Sequence, residues 1–393
     1  MFGNKKILVG VTGGIAAYKT CEVIRYLIQN NAQVKVVMTD AAKQFISTLT
    51  FETLTGNTVH SKLFEHNTIH IDLARWADCI IICPATANTI NKVATGIANN
   101  LLTTIISAAN MPVIFCTAMN KEMYLNRIFQ ANTEKLRQLN YLFVEPEKGE
   151  LACGEYGWGR LAEKKHIIDM LKKVLLSSSE LKDKKVLVTA GRTEEPIDPV
   201  RMFTNYASGK MGFALAEVAA LRGADVTLIS GPNNLSYYNG VKYRQVQTAQ
   251  QMTEAVFDEW KTIDILIMAA AVADFRPKTY NKNKIKKQAE SLNIEFERTT
   301  DILYKAGQQK GARILIGFAL ETKDEIAAAL EKLNKKNLDL IVLNNPLEEE
   351  AGFGGDNNRV TIINRNGEKL KLPLLSKLQV AEKIIDIVIQ KDN

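Results

Sequence analysis

A chain of 393 residues with 46% hydrophobic, 24% charged and 7% aromatic residues has the profile of a folded globular protein, which excludes a collagenous, low-complexity or disordered chain. At about 150 residues per domain it predicts two or three domains, with a core that needs no disulfide or metal staple. The 50 Lys+Arg against 43 Asp+Glu leave a net charge of +7, compatible with phosphorylated small molecules and too diffuse to mark a nucleic-acid binder. Five cysteines, at 21, 79, 83, 116 and 153, are odd in number and irregularly spaced, so a reducing cytoplasm is expected rather than a secreted disulfide framework. The opening MFGNKKILVGVTGG lacks a cleavage signature and is not expected to be a secretory leader. No stretch approaches the roughly 20 apolar residues of a membrane span.

Lys5 and Lys6 lead into ILVGVT, a continuous apolar run of the kind found in buried parallel strands. Gly13 and Gly14 then open a helix-like segment, IAAYKTCEVIRYLIQN. Further strands are expected at Val34–Met38, Cys79–Cys83 and Val113–Cys116, separated by helical patterns, which predicts an α/β domain with a mostly parallel sheet. Ser177 to Ser179 begin a polar connector, after which KKVLVTAG echoes the opening KKILVGVTG. Two domains are therefore expected, 1–180 and 181–393. The second has strands at Val186–Thr189, Val226–Ser230, Ile263–Ala269, Ile314–Phe318 and Leu340–Leu343. Near its end, Val360–Ile363 and Leu370–Leu372 flank Asn366-Gly367, a signal for a two-residue hairpin turn and an antiparallel edge.

Ligands of open α/β sheets sit at the carboxyl ends of the strands, so the residues after each apolar run are the candidates. Gly13, Gly14, Ile15 and Ala16 follow the first strand and suit a phosphate, or simply a tight turn. The dinucleotide spacing G-x-G-x-x-G is absent. Thr39 could add a hydroxyl, and Asp40 is the only argument for an adenosine ribose. His66 and His70 could pair on zinc, but no third ligand follows at metal-site spacing. Cys79 and Cys83 read as core residues. Pro84, Ala85, Thr86 and Asn88 follow one strand and Thr117 to Asn120 the next. Asn120 could grip a carboxylate or a flavin edge, or cap a helix. Cys153 lies in CGEYGWGR, which has neither helical nor strand period and reads as a mobile flap.

In the second half, Arg201, Asn205 and the SGKMG segment at 208–212 precede a helical pattern. The Walker A spacing is missing, but an anion site at a helix start remains. Ala270 to Phe275 end a central strand. Lys278, Lys282, Lys284, Lys286 and Lys287 then follow with no acid among them. They form either a solvated loop or a cationic cover for a triphosphate. Phe318 offers an aromatic platform, and Lys332 and Lys336 add positive charge.

Ten segments in order resemble the bifunctional phosphopantothenoylcysteine decarboxylase/phosphopantothenate–cysteine ligase family of coenzyme A biosynthesis. They are GGIAAYK (13–19), HIDLARWAD (70–78), PATAN (84–88), AMNKEMY (118–124) and ACGEYGWGR (152–160), followed by DPVRMFTNYASGKMG (198–212), AAVADFRP (270–277), KIKK (284–287), GFALET (317–322) and KKNLDLIVLNN (335–345). The resemblance implies a flavodoxin-like flavoprotein domain followed by a Rossmann-like ligase domain, with FMN, Mg2+ and CTP as cofactors and co-substrate. It implies that FMN is lined by Gly13, Gly14, Ile15, Ala16, Thr39, Pro84, Ala85, Thr86, Asn88 and Ser107. It gives His70 the substrate thiol and carboxylate, Asn120 a grip on that carboxylate, and Cys153 the proton donated in the closing reduction. The ligase half would activate 4'-phosphopantothenate as an acyl-cytidylate for attack by L-cysteine. Asn205 and Arg201 would handle that intermediate and Lys284 the phosphate charge. Ala270, Asp274, Thr300, Asp301, Ile302, Phe318, Lys332 and Lys336 would bind nucleotide; the Mg2+ ligands are not assigned. The resemblance further implies a homo-oligomer of trimeric decarboxylase and dimeric ligase units, in larger shells up to a dodecamer, with no membrane or nucleic-acid partner.

Two positions depart from the family pattern: Thr117 stands where Pro is usual, and Ala207 where Ser is usual. Either could alter a loop, and one half could be inactive. Two other readings compete. A nicotinamide-dependent oxidoreductase would need the absent glycine fingerprint and would leave the Cys153 segment unexplained. A basic nucleic-acid scaffold would bind any polyanion with steep salt dependence.

Overall fold

Lys6–Val11 (β1) is buried on both faces from Ile7 onward, and it takes the inner position such a sequence demands. In the computed structural model, which describes residues 1–64, 68–286, 292–320, 325–344 and 354–392, β1 lies between Gln33–Met38 (β2) and Cys79–Ala85 (β3). Val113–Thr117 (β4) and Leu142–Val144 (β5) extend the sheet. The order is β2-β1-β3-β4-β5 and every pairing is parallel. This is the flavodoxin-like order, in which the connections from β1 and β3 leave in opposite directions and open a crevice between their carboxyl ends. All seven residues of β3 are buried. Truncating one of its isoleucines to Ala would cost about 2–5 kcal/mol.

Glu147–Glu150 (β6) and Tyr156–Arg160 (β7) pair as an antiparallel hairpin, with Cys153 on the exposed connection. The segment expected to be an aperiodic flap is thus half of a ribbon. Its alternation is present but inverted: Gly157 and Gly159 face inward, and Tyr156, Trp158 and Arg160 face solvent. The reason is close backbone approach. A Cβ on Gly159 would lie 2.1 Å from the Met119 carbonyl oxygen, and one on Gly157 would meet the Lys121 stem at 2.7 Å.

The chain divides into two units, Met1–Ser177 and Ser178–Asn393. In the second, Lys185–Ala190 (β8) is central. The short strands Glu194–Pro196 (β9) and Met202–Thr204 (β10) form a hairpin beyond it. Asp225–Ser230 (β11) and Val241–Gln245 (β12) lie on one side of β8. Ile265–Met268 (β13) lies on the other. Phe275–Pro277 (β14) and Phe296–Arg298 (β15) then form a second small hairpin before Ile314–Leu320 (β16) and Leu340–Asn344 (β17) complete the parallel part. Phe203 and Phe296 meet edge to face at 5.1 Å, joining the two hairpins. Beyond Asn357–Asn358 (β18), Val360–Asn364 (β19) and Lys369–Lys371 (β20) add an antiparallel edge. The full order is β12-β11-β8-β13-β16-β17-β19-β20, a Rossmann-like order with its reversal between β8 and β13.

The closing hairpin differs from its expectation in one respect. The Gly367 N–H donates to the Asn364 carbonyl at 3.0 Å, and only Gly367 in this loop has positive φ, at 80°. Three residues, Arg365 to Gly367, therefore make a turn closed by a left-handed glycine. The two-residue hairpin turns I′ and II′ both need positive φ at the first position, and Asn366 does not adopt it. Strands β5 and β12 were not expected from the sequence; β5 has only three residues, and β12 alternates among polar side chains.

Candidate functional site

Both sheet reversals carry the residues singled out in sequence. In the first unit, Thr12 bridges the crevice: its hydroxyl donates to the Pro84 carbonyl at 2.7 Å and accepts the Thr86 N–H at 3.1 Å. Gly13 has no room for a side chain, because a Cβ would lie 2.4 Å from that of Ala41. Gly14 faces the other way, where a Cβ would meet nothing closer than Thr86 at 3.6 Å. Gly14 and the half-buried Ala16 thus lie beside the crest Pro84-Ala85-Thr86, with Ile15 and Asn88 exposed. Thr39 uses its hydroxyl to accept the Ala42 N–H at 3.3 Å. Asp40 pairs with Lys43 at 2.7 Å, and that hydrogen bond and charge hold its carboxyl below the usual range. Ser107 does not join this group. It ends the helix Leu101–Ser107, which leads toward the amino end of β4, and its hydroxyl bonds the Thr103 carbonyl at 2.9 Å.

Asn120 follows β4 and caps the helix Lys121–Leu125, its Oδ1 accepting the Glu122 N–H at 2.8 Å. That bond fixes the amide orientation, so its Nδ2 points to Cys153 Sγ and Glu155 Oε2, each at 3.4 Å. The Cys153 thiol lies 3.6 Å from the same Glu155 oxygen. Of the alternatives of capping and ligand contact for Asn120, the cap is present through Oδ1, while Nδ2 faces the Cys153–Glu155 pair. Glu155 was not singled out, although a carboxylate two residues from Cys153 was visible in the sequence. His70 is the second residue of the helix Ile69–Trp76, which precedes β3 and therefore starts at the carboxyl edge. His66 lies outside the described residues. Among those described, no three His, Cys, Asp or Glu side chains could hold a metal ion. Cys79, Cys83 and Cys116 are fully buried. Desolvation pushes the Cys79 thiol up to about 12, so it is inert at neutral pH. Thr117 is buried, opposite Ala85.

In the second unit, Asn205 donates to the Ala271 carbonyl at 3.1 Å, across the reversal between β8 and β13. Its oxygen faces no donor among the described residues. The Ala270 N–H donates to Thr189 Oγ1 at 3.3 Å. Arg201 donates to Asp198 at 3.2 Å and to the Ile285 carbonyl at 3.3 Å. Asp198 also accepts the Ile285 N–H at 3.1 Å, so the exposed Lys284 is placed by its anchored neighbour. Lys287 lies outside the described residues, as do Glu321, Thr322 and Asn345. Asp274 and Thr300 are exposed, with the Asp274 carbonyl accepting the Thr299 N–H at 3.0 Å. Asp301 caps the next helix and forms an ion pair with Lys336 at 2.8 Å. Phe318 is half-buried near the carboxyl end of β16, and Lys332 is exposed. The Ile302 side chain is 2% exposed and packs in the core, so its backbone is the part available to a ligand.

These features define the class, a two-unit α/β protein with a flavodoxin-like crevice in one unit and a Rossmann-like crevice in the other. The chain matches the Flavoprotein family over residues 1–176 and the DNA/pantothenate metabolism flavoprotein C-terminal domain over residues 181–391. It is 47% identical to the coenzyme A biosynthesis bifunctional protein CoaBC of Bacillus subtilis, over 98% of this chain and 97% of that protein. Identity to CoaBC of Escherichia coli is 41%, over 99% and 97%. A crystal structure of the C-terminal domain of a CoaBC is 42% identical, covering 55% of this chain and 100% of that one, with a TM-score of 0.48. The chain belongs to the family of bifunctional coenzyme A biosynthesis proteins.

Proposed function

We propose that the second unit joins 4'-phosphopantothenate to L-cysteine at the expense of CTP, and that the first decarboxylates the product to 4'-phosphopantetheine. The observation that carries this reading is the Asn120–Cys153–Glu155 cluster: an exposed thiol and an oriented amide next to the crest of a flavodoxin-like sheet.

The first crevice fits FMN in its chemistry. Gly14 presents bare backbone beside Thr86, the Pro84-Ala85-Thr86 crest is tied to Thr12 by two hydrogen bonds, and this sheet order places flavins at this reversal. When bound, FMN would supply reversible two-electron chemistry at the sulfur-bearing carbon, which creates a sink for the electron pair that departing CO2 leaves on the substrate. The chain's own residues do the rest. The Asn120 N–H groups hold the substrate carboxylate, while its cap bond prevents the amide from turning over. His70 acts on the substrate thiol. Cys153 delivers a proton to carbon, with Glu155 as the nearest acceptor to its thiol.

In the ligase half, a carboxylate is a poor electrophile, so its oxygen first attacks the α-phosphorus of CTP and pyrophosphate leaves. The cysteine amine then attacks the acyl carbon and displaces CMP. Arg201 and Asn205 hold the acyl group, and Lys284 neutralises phosphate charge. Ala270, Asp274, Thr300, Asp301, the Ile302 backbone, Phe318, Lys332 and Lys336 surround the nucleotide. Mg2+ would enter on the triphosphate, as is usual for an ion that keeps waters and substrate phosphates as ligands. The substrates are small molecules, and no helix among the described residues is long and apolar enough to cross a membrane. The family supports a cytoplasmic homo-oligomer, with trimeric decarboxylase and dimeric ligase units, which mass photometry would test.

The deciding experiment is mass spectrometry of purified protein incubated with phosphopantothenate, cysteine, CTP and Mg2+. Formation of 4'-phosphopantetheine supports both halves. Phosphopantothenoylcysteine alone leaves a ligase with an inactive decarboxylase and points to Thr117. No conversion by folded protein overturns the ligase reading.

A further inference from the structure

The amino edge of the second sheet, opposite the crevice just described, holds a concentration of positive charge that the reaction does not use. Lys310, Gly311, Ala312 and Arg313 precede β16, Asn337 and Asp339 precede β17, and Arg365 follows the antiparallel β19. Together with Lys391 from the last helix they line a cavity of about 410 Å3. Phe318 is four residues along β16 from Ile314, which borders the cavity, so the two lie about 13 Å apart along the strand.

The charges do not balance. Four cations, Lys310, Arg313, Arg365 and Lys391, face a single carboxylate, Asp339. Lys310 and Lys391 both pair with it, at 2.6 and 2.8 Å, and it also accepts the Leu315 N–H at 2.8 Å. Asp339 is thereby saturated and cannot offset the two arginines. Arg313 is held in place by its contact over the Trp260 ring at 4.7 Å and by bonds to the Trp260 and Lys310 carbonyls. Arg365 bonds Asn337 through Nη2 alone among the described residues, which leaves the other faces of its guanidinium to the cavity. Lys310 is 8% exposed. Burial lowers its pKa, and the Arg365 and Lys391 charges lower it further. Lys310 is buried, Arg313 is half-buried and fixed against Trp260, and Arg365 and Lys391 are exposed at the mouth. Four like charges converging on one already paired carboxylate are an arrangement that binds a multiply charged oxyanion.

We propose that this cavity is a second anion site, which takes the phosphate or pyrophosphate group of a small molecule through Arg365, Arg313 and Lys391. Free pyrophosphate and the phosphoryl end of a larger metabolite share this chemistry. The site is separate from the ligase crevice, so it stands or falls independently of the reaction proposed there.

The test is calorimetric titration of the full chain with inorganic pyrophosphate at fixed ionic strength, in wild type and in Arg365→Gln and Arg365→Gln/Lys391→Gln. Both variants keep Lys310 on Asp339; the double variant also removes the Lys391–Asp339 ion pair, so a circular dichroism melt checks folding. The expected result is a binding event that weakens about tenfold in the single variant and disappears in the double, while ligase kcat measured without added pyrophosphate is unchanged. ADP is the comparison probe. Tighter binding of ADP than of pyrophosphate at the same residues identifies a metabolite's phosphoryl end; the reverse identifies the free anion. Identical isotherms in wild type and both folded variants overturn the proposal.

Discussion

The buried carboxylate of Asp198 accepts the backbone N–H of Ile285 at 3.1 Å, from 87 positions further along the chain. The same group accepts the Val200 and Arg201 N–H groups, each at 2.8 Å, and the Arg201 guanidinium at 3.2 Å. Burial opposes its ionisation, yet the Ile285, Val200 and Arg201 N–H bonds and the Arg201 charge hold its pKa below the usual range. One carboxylate thus sets both Arg201 and the loop carrying Lys284. Replacing Asp198 with Ala would release both. We expect ligase kcat/KM for phosphopantothenate to fall by at least about tenfold, with decarboxylation of supplied phosphopantothenoylcysteine unchanged. Separate assays of the two half-reactions check this; an equal loss in both would contradict a local role.

Asn120 offers a sharper separation of roles. Asp at this position still caps Glu122 but replaces an N–H donor by negative charge facing Glu155 and the substrate carboxylate. Asn120→Asp should melt close to wild type and lose roughly a hundredfold in decarboxylase kcat/KM, about 3 kcal/mol of transition-state stabilisation. A thermal melt and a steady-state assay on the same preparation are sufficient. A large drop in melting temperature would shift the explanation to the cap.

Gly159 joins the hairpin to the sheet, its carbonyl accepting the Met119 N–H at 2.9 Å. At φ 135°, with a Cβ only 2.1 Å from the Met119 oxygen, alanine has no place there. Gly159→Ala should cost about 2 kcal/mol or more and pull Cys153 away from Asn120. The measurements are a denaturant midpoint and the alkylation rate of Cys153, the one exposed cysteine among the five. An unchanged midpoint would mean that the hairpin is not held as described.

Asp339 predicts a pH signature. Burial raises its pKa, but Lys310, Lys391 and the Leu315 N–H outweigh burial and hold it below the ordinary value. A carboxyl depressed on folding stabilises the native state above its unfolded pKa, about 4, and that contribution is lost as pH falls through the lower folded value. Asp339→Asn strands a buried lysine and should cost roughly 3 kcal/mol at neutral pH. Wild-type and variant stabilities should then begin to converge below about pH 4 and meet once the pH passes the depressed folded value. Chemical denaturation at several pH values tests this; a gap that persists in acid would exclude the ion pairs as its source.

Much of the fold was legible because its signals are local. The runs ILVGV, CIIIC and VIFCT have no polar face and so occupy inner parallel positions. β12 was missed because an edge strand tolerates the polar Lys242, Arg244 and Gln245. The hairpin at Cys153 was missed because its inward positions are glycines, which carry no hydrophobic signal. Ser107 was grouped with the crest by resemblance, whereas its helix ends toward the other edge of the sheet.

The sequence by itself determined two α/β units, the strands whose carboxyl ends carry the candidate residues, and the family, since ten short segments in order outweigh any one of them. These depend on periodicity and residue identity along a few neighbouring positions. Only the tertiary structure decided which way the Asn120 amide points, why Gly159 admits no side chain, and that Asp198 binds Ile285. Each of these is a contact between segments brought together by strand order. Hydrogen-bond direction and close backbone approach are set across that gap in space, where no local pattern reaches.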